Sequence, residues 1–240
     1  IAVGILLAGP GGASAGSLRA ALVQGGGPRG IPAVVSDADA VTERQFLLSE
    51  DLPPGLDLVL WPESSLGVSG PVADTSEAAR VAQLARRTGA TVVAGLSESY
   101  EDRFRNAAVA WDPDGRIVDR YEKVHRVPFG EYIPARALFE SLTDMTALVP
   151  RDALPGRGPG LLRTPGGPLG VVISYEVFFS DRIRAAVEAG GQVLLVPTNA
   201  ASYTTEEVPA TEVAAARMRA LEFDRAVLQA APTGYTAIVR

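Results

Sequence analysis

Apolar and polar positions alternate in short blocks whose period switches between two and about 3.6 along the chain. Ser17–Gln24 (SLRAALVQ) reads as a short buried strand closed by GGGPRG, and Val41–Glu50 has helical spacing with polar interruptions. Asp57–Glu63 (DLVLWPE) predicts a strand that stops at Pro62. Asp74–Thr88 predicts a helix, with Asp74 as its cap, Glu77 three residues on, and Ala78, Val81, Ala82 and Ala85 on one apolar face. Ala90–Glu98 follows as a strand. Asn106–Lys123 carries a hairpin signature, two alternating runs around Pro113, Asp114 and Gly115. Leu161–Thr164 and Pro168–Ser174 predict a second strand pair around Gly166 and Gly167, with Tyr175 and Glu176 at a helix start. Ser180–Ala189 reads as a helix, Gln192–Thr198 as a strand, Thr211–Arg225 as a long helix, and VLQAAPTG and YTAIV as closing strands. Strands and helices mixed at crossover spacing, with interposed hairpins, predict one layered α/β domain built on a mixed sheet. No repeat or interdomain linker interrupts it.

The first nine residues are apolar and precede a Gly/Ala/Ser stretch. They are too few to cross a bilayer, which takes roughly 20, and they lack the basic flank of a signal peptide. On pattern alone they fit a buried strand or the end of a membrane-crossing helix.

Composition narrows the chemistry. A 47% hydrophobic fraction over 240 residues supplies a substantial core. A net charge of −6 without a basic cluster argues against a nucleic-acid partner. With no cysteine, disulfides, thiolate catalysis and cysteine-ligated zinc are excluded for this chain. The single histidine, His125, excludes a histidine-rich metal site while leaving carboxylate sites open; no metal or cofactor is expected.

Three predicted strand ends carry reactive groups: Glu63 in LWPES, Lys123 in RYEKVH and Ser174 in VISYE. Ligand sites of α/β sheets lie beyond the carboxyl ends of strands. A carboxylate to take a proton, an ammonium to meet an oxyanion and a hydroxyl to attack form a coherent set. Glu131 in FGEYIP and Glu176 beside Ser174 are placed to add hydrogen bonds. Singly, each has an ordinary reading: Glu63 as a turn residue, Lys123 as a solvated hairpin end, Ser174 as a small core or capping residue. His125 reads as structural; a Ser174–His125–acid triad would lack the flanking glycines of a nucleophile elbow.

Together the phrases LVLWPES, YEKVHRVPFGEYIP, VVISYEVFF, VPTN and AAARMRALEFDRAVLQAAPTGYTAIV occur in an order that resembles the nitrilase-like (carbon–nitrogen hydrolase) superfamily. KVHRVPFGEYIP, with ARMRALE and a following TG, resembles its apolipoprotein N-acyltransferase branch. The resemblance runs from about Leu18 to the end. It implies a four-layer α-β-β-α sandwich with mixed sheets over residues 17–240, ending before further strands and a last helix. It also implies that residues 1–16 are the end of a transmembrane helix plus a linker. The implied activity moves an acyl chain from a membrane phospholipid, through a covalent acyl-enzyme, to the N-terminal amine of a diacylglyceryl-cysteine lipoprotein. The implied setting is the extracytoplasmic face of a bacterial plasma membrane. By position, Glu63 matches the general base, Lys123 the oxyanion lysine, Glu131 a further glutamate near the site, and Glu176 the glutamate two residues after the nucleophile. Phe129, Tyr132 and Tyr175 are expected to contact substrate, and residues 135–148 to form loops and a short helix at its entrance.

The nucleophile of that branch is cysteine, and here the position holds Ser174. A thiol has a pKa of about 8.5 and is drawn lower by neighbouring charge, whereas a hydroxyl needs a base acting during attack. An ordinary glutamate, with a pKa of about 4.3, is a weak base for it. TNAASY and QAAPTG also depart from the branch, with Ala200, Ser202, Ala231 and Pro232 at altered positions. Several neighbourhoods changing together favour a native serine over an engineered one. The residues leave open a slow serine acyltransferase, an inactive scaffold or lipid-binding domain, and an amidase of the same superfamily. Retention of Glu63, Lys123, Glu131 and Glu176 favours an enzyme, because buried charges are costly to keep idle.

Overall fold

The computed structural model describes residues 2–6, 16–30, 38–137, 146 and 149–240. The chain builds two mixed sheets. The first has seven strands: β1 (Ala2–Leu6), β2 (Leu18–Leu22), β3 (Leu58–Leu60), β4 (Leu66–Val68), β5 (Thr91–Tyr100), β6 (Arg103–Trp111) and β7 (Ile117–Glu122). Their order is β1-β2-β3-β5-β6-β7, with β4 pairing along the far end of β5. β2, β3 and β5 are parallel, and the β5-β6-β7 meander is antiparallel. The second sheet runs β12 (Ala237–Val239), β11 (Val227–Ala230), β10 (Val193–Pro197), β9 (Gly167–Val171), β8 (Leu161–Thr164), parallel at β9-β10-β11 and antiparallel at both edges.

Three separate apolar clusters define the layers. Alternate residues of the first sheet, among them Val59, Val92, Ala94 and Val109, face Phe46 of α1 (Ala38–Ser49) and Val81, Leu84 and Ala85 of α2 (Ser76–Thr88). The intervening residues Leu58, Leu60, Val93, Ala108 and Ala110 face Val171, Leu195 and Leu228 of the second sheet and Ile173 just beyond β9. On its other side Val172, Leu194 and Val196 meet Ile183 and Ala186 of α3 (Ser180–Glu188) and Ala216 and Ala220 of α4 (Glu207–Phe223). Both faces of the central strands, such as β3 and β10, are therefore dry, which is why those strands read as nearly continuous apolar runs. The order is helix, sheet, sheet, helix, as the resemblance implies.

Local differences from the sequence expectation have physical reasons. Val72 is buried and opens a 3₁₀ turn, Val72–Asp74, so Asp74 ends that turn and does not cap the helix. Thr75, in extended conformation, is the cap: its side chain accepts the Ala78 N–H, and Gly89 closes the helix in the left-handed region. α4 starts at Glu207, ahead of the expected Thr211, because Pro209 sits in the first turn, where its missing N–H costs nothing. The strand expected to reach Ser174 ends at Val171, and Ser174–Phe178 forms a 3₁₀ turn before α3. The N-terminal run expected as a helix end is extended over Ala2–Leu6, antiparallel to β2; Ile1 and residues 7–9 lie outside the described residues. The expected entrance segment 135–148 lies outside them too, apart from residues 135–137 and 146. Among the described residues no helix is long and apolar enough to cross a membrane.

Candidate active site

The ends of β3, β7, β9 and β10 deliver the polar residues to one place, as parallel sheet ends do. Glu63 follows β3 through Trp61 and Pro62. A side chain at Gly95 of β5 would put its Cβ 2.2 Å from the Pro62 carbonyl oxygen and 2.5 Å from the Glu63 Cα. The glycine lets the Pro62–Glu63 backbone lie directly against β5, and Ser64 then turns away at φ 53°. Glu63 is thereby fixed in a buried position.

Lys123 leaves β7 fully buried, and its ammonium donates to Glu63 Oε1 at 2.8 Å and Glu131 Oε1 at 2.9 Å. Asn106 of β6 donates to the same two oxygens, at 2.8 and 2.7 Å. Glu131 Oε2 accepts the Val127 N–H at 2.7 Å, which ties down the loop after Lys123. One ammonium thus faces two carboxylates. Burial raises the Glu63 pKa, and the Glu131 charge adds to it against the opposing pull of Lys123. Burial alone would lower the Lys123 pKa, but Glu63 and Glu131 outweigh it and hold the ammonium above its ordinary range. The weak base of the sequence reading is therefore a stronger one in place. Two of the three lysine N–H donors are committed to carboxylates, which leaves the third for an oxyanion.

Ser174 opens its 3₁₀ turn at φ 48°, a left-handed conformation costing about 1–2 kcal/mol in a non-glycine residue. Its hydroxyl donates to Glu212 Oε1 at 2.9 Å and accepts from the Thr198 hydroxyl at 3.1 Å. Thr198 follows β10, and Glu212 comes from α4. Burial raises the Glu212 pKa; bonds from Thr198 and Ser174 oppose it, and the fields of Glu63 and Lys123 both reach it.

Glu176 joins the two halves of the site. Fully buried, its Oε1 accepts the Val124 N–H at 2.9 Å, the His125 N–H at 3.0 Å and the Tyr121 hydroxyl at 2.8 Å. Its Oε2 accepts the Ile173 N–H at 2.8 Å. The residues clamped are the neighbours of Lys123 on one side and of Ser174 on the other. Burial, and next the Glu176 charge, push the Tyr121 pKa far up, so this hydroxyl stays a donor. Arg182 donates to the Tyr121 oxygen at 2.9 Å and closes the network.

A cavity of 290 Å³ opens beside this core, with Val124, His125, Arg126, Pro128, Tyr132, Tyr175 and Phe179 in its lining. Tyr132 lies under the Arg126 guanidinium, 4.2 Å from ring centre to carbon, and Tyr175 meets Phe179 edge-on at 5.0 Å. Two of the three expected substrate contacts line the cavity. Phe129 does not; it stands exposed at φ 58° next to Pro128. The His125 ring packs edge-on against Phe179 at 4.4 Å, and among the described residues it makes no bond to Ser174, so a Ser–His triad is not built. Among the described residues no histidine, aspartate and glutamate group could hold a metal ion.

Sequence reasoning missed Asn106, Thr198, Tyr121, Arg182 and Glu212. Asn106 was visible as the one polar side chain heading the buried run NAAVAW, and Glu212 as a charge on the same helical face as Ala216 and Ala220.

The carbon–nitrogen hydrolase family matches residues 19–239. A protein of Mycolicibacterium smegmatis called apolipoprotein N-acyltransferase is 31% identical over 187 residues, 75% of this chain and 31% of the relative. One of the same name from Synechocystis is 34% identical over 185 residues, 77% of this chain and 35% of the relative. The chain thus spans about a third of the length of these relatives. Among solved structures, the carbon–nitrogen hydrolase of Helicobacter pylori G27 superposes with a TM-score of 0.63 at 19% identity, covering 89% of this chain and 73% of that one, a likeness of fold.

Proposed function

The chain belongs to the carbon–nitrogen hydrolase family, and from that premise we propose that it transfers a fatty acyl chain from a membrane phospholipid to the N-terminal amine of a diacylglyceryl-cysteine lipoprotein. The observation that carries this reading is the buried Lys123 ammonium held between Glu63 and Glu131 in a chain similar to proteins called apolipoprotein N-acyltransferase. Ser174 Oγ attacks the donor ester carbonyl, and the third Lys123 donor meets the oxyanion. The tetrahedral species expels the lysophospholipid oxygen, which leaves protonated, and the acyl chain stays as an ester on Ser174. The lipoprotein amine then attacks that ester. Glu63, with its raised proton affinity and with Oε2 unbonded among the described residues, takes the proton the amine loses. Amide forms, and Ser174 regains its proton. Tyr132 and Tyr175 border the cavity that would receive substrate, and Glu176 acts by position. In this reading the domain lies at the extracytoplasmic face of a bacterial plasma membrane, held by helices outside this sequence, and uses no cofactor.

The oxygen at position 174 favours one competing reading, a lipid- or lipoprotein-binding domain without turnover, because an oxoester passes its acyl group to an amine more slowly than a thioester. One experiment separates the two. The full-length protein is reconstituted with phospholipid and a diacylated lipopeptide, and the native chain is compared with Ser174→Ala and Ser174→Cys. Acyl transfer by the native chain and Ser174→Cys, lost in Ser174→Ala, supports the proposal. Transfer by Ser174→Ala at the native rate refutes it, and transfer by Ser174→Cys alone favours the binding domain.

A further inference from the structure

Ser174 points its proton at a carboxylate other than Glu63. Its hydroxyl donates to Glu212 Oε1 at 2.9 Å, and the Thr198 hydroxyl sits 3.1 Å from Ser174 Oγ and reaches Glu212 as well. Glu63 bonds to Lys123 and Asn106 instead, and no hydrogen bond joins it to Ser174 among the described residues. We infer that Glu212 is the base for Ser174, so that this chain works with a buried serine–glutamate pair in place of a thiol.

The physical need is specific to oxygen. A thiol ionises near neutral pH and tolerates a distant base, whereas a hydroxyl must lose its proton as it attacks. That calls for a carboxylate in direct contact with it and of more than ordinary basicity. Glu212 meets both conditions: 4% exposed on α4, touching Oγ, its proton affinity raised first by burial. The charged groups around it act in opposite senses, Glu63 raising its proton affinity and Lys123 lowering it. A carboxylate among the buried residues Pro209, Val213, Ala216 and Ala220 of this helix has a desolvation cost that packing does not explain.

The step balances. The Oγ–H proton moves to Glu212 as the Oγ–carbon bond forms. Collapse breaks the bond to the leaving oxygen, which takes the proton back from Glu212. No redox partner is required. The second step, with Glu63 serving the amine, rests on the proposed function; the first does not, and is tested apart from it.

The test is labelling by a long-chain alkyl fluorophosphonate, which forms an oxygen–phosphorus bond on an activated serine and releases fluoride. The native protein should carry the adduct on the Ser174 peptide. Glu212→Gln, which keeps shape and hydrogen bonding, should label about 10²–10³-fold more slowly, the span of a lost general base. Glu63→Gln should label at least tenfold faster than Glu212→Gln. The native rate should rise with pH through one ionisation above the ordinary carboxylate range, and this rise should vanish in Glu212→Gln. Integrity of the variant site is read from Ser174→Cys with Glu212→Gln, whose thiol should react with iodoacetamide no more slowly than that of Ser174→Cys alone. An unlabelled native protein, an equal rate in Glu212→Gln, or an equal loss in Glu63→Gln overturns the assignment. Normal labelling without lipopeptide acylation upholds the pair and overturns the acyl-transfer reading.

Discussion

Removing the Glu176 carboxylate should cost as much stability as the largest single changes to the polar core. Glu176→Ala strands three backbone N–H groups, those of Val124, His125 and Ile173, together with the Tyr121 hydroxyl. A buried donor left without its partner costs about 1–3 kcal/mol. Three backbone donors would set an upper range near 9 kcal/mol, but water entering the vacated space and the release of a buried charge offset part of it. We expect a net loss of about 4 kcal/mol, among the largest single-residue effects. For a chain of this length, about 2–4 °C per kcal/mol translates that into a melting point lower by about 8–16 °C. Thermal unfolding followed by circular dichroism reads it directly. Tyr121→Phe is the internal comparison: it removes one neutral donor, leaves the three backbone bonds, and should cost only about 1 kcal/mol. A Glu176→Ala protein melting within about 3 °C of the native one would refute the argument that this carboxylate clamps the Lys123 strand end to the Ser174 turn.

Three other outcomes follow from the same geometry. Ser174→Gly should be more stable than Ser174→Ala by about 1 kcal/mol in a denaturant titration, since both lose the hydroxyl but only glycine relaxes at φ 48°. Equal midpoints would place the residue outside the left-handed region. Glu212 has a folded pKa raised above its unfolded value, so the folded state holds its proton longer and stability falls as pH rises through that window. Glu212→Gln should therefore gain stability relative to native at pH 7 and not at pH 4, in urea unfolding at the two pH values; an equal gain at both would contradict the sign. Lys123→Met leaves two buried carboxylates without their cation and should cost about 3–5 kcal/mol at pH 7, with the loss shrinking as acid protonates Glu63. Calorimetry that finds the loss unchanged by pH would mean that Lys123 is not their counterion.

The central strands were legible because both their faces are buried and their apolar runs are nearly unbroken, as in Leu58–Leu60 and Val193–Pro197. Glu63 and Ser174 stood out as polar residues closing apolar runs, whereas Lys123, after IVDRYE, stood out only together with them. Partners that arrive across the fold were not legible. Glu212 lies 38 residues from Ser174 and reaches it only because α4 packs on the turn, and Asn106 lies 43 residues from Glu63. The basicity of Glu63 was misjudged from its model-compound value because burial and Glu131 cannot be read from spacing. The cap of α2 went to Thr75, not Asp74, because burial of Val72 advanced the turn, a tertiary effect on a local choice.

The central claim is that Ser174 carries an acyl group from lipid to amine, and mass spectrometry of the protein after incubation with phospholipid tests it most directly. The account predicts one fatty-acyl mass added to the peptide containing Ser174, absent in Ser174→Ala and discharged as N-acylated product when a diacylated lipopeptide is supplied. A native protein that transfers acyl chains with no adduct on Ser174, or an adduct that persists unchanged in Ser174→Ala, would contradict it.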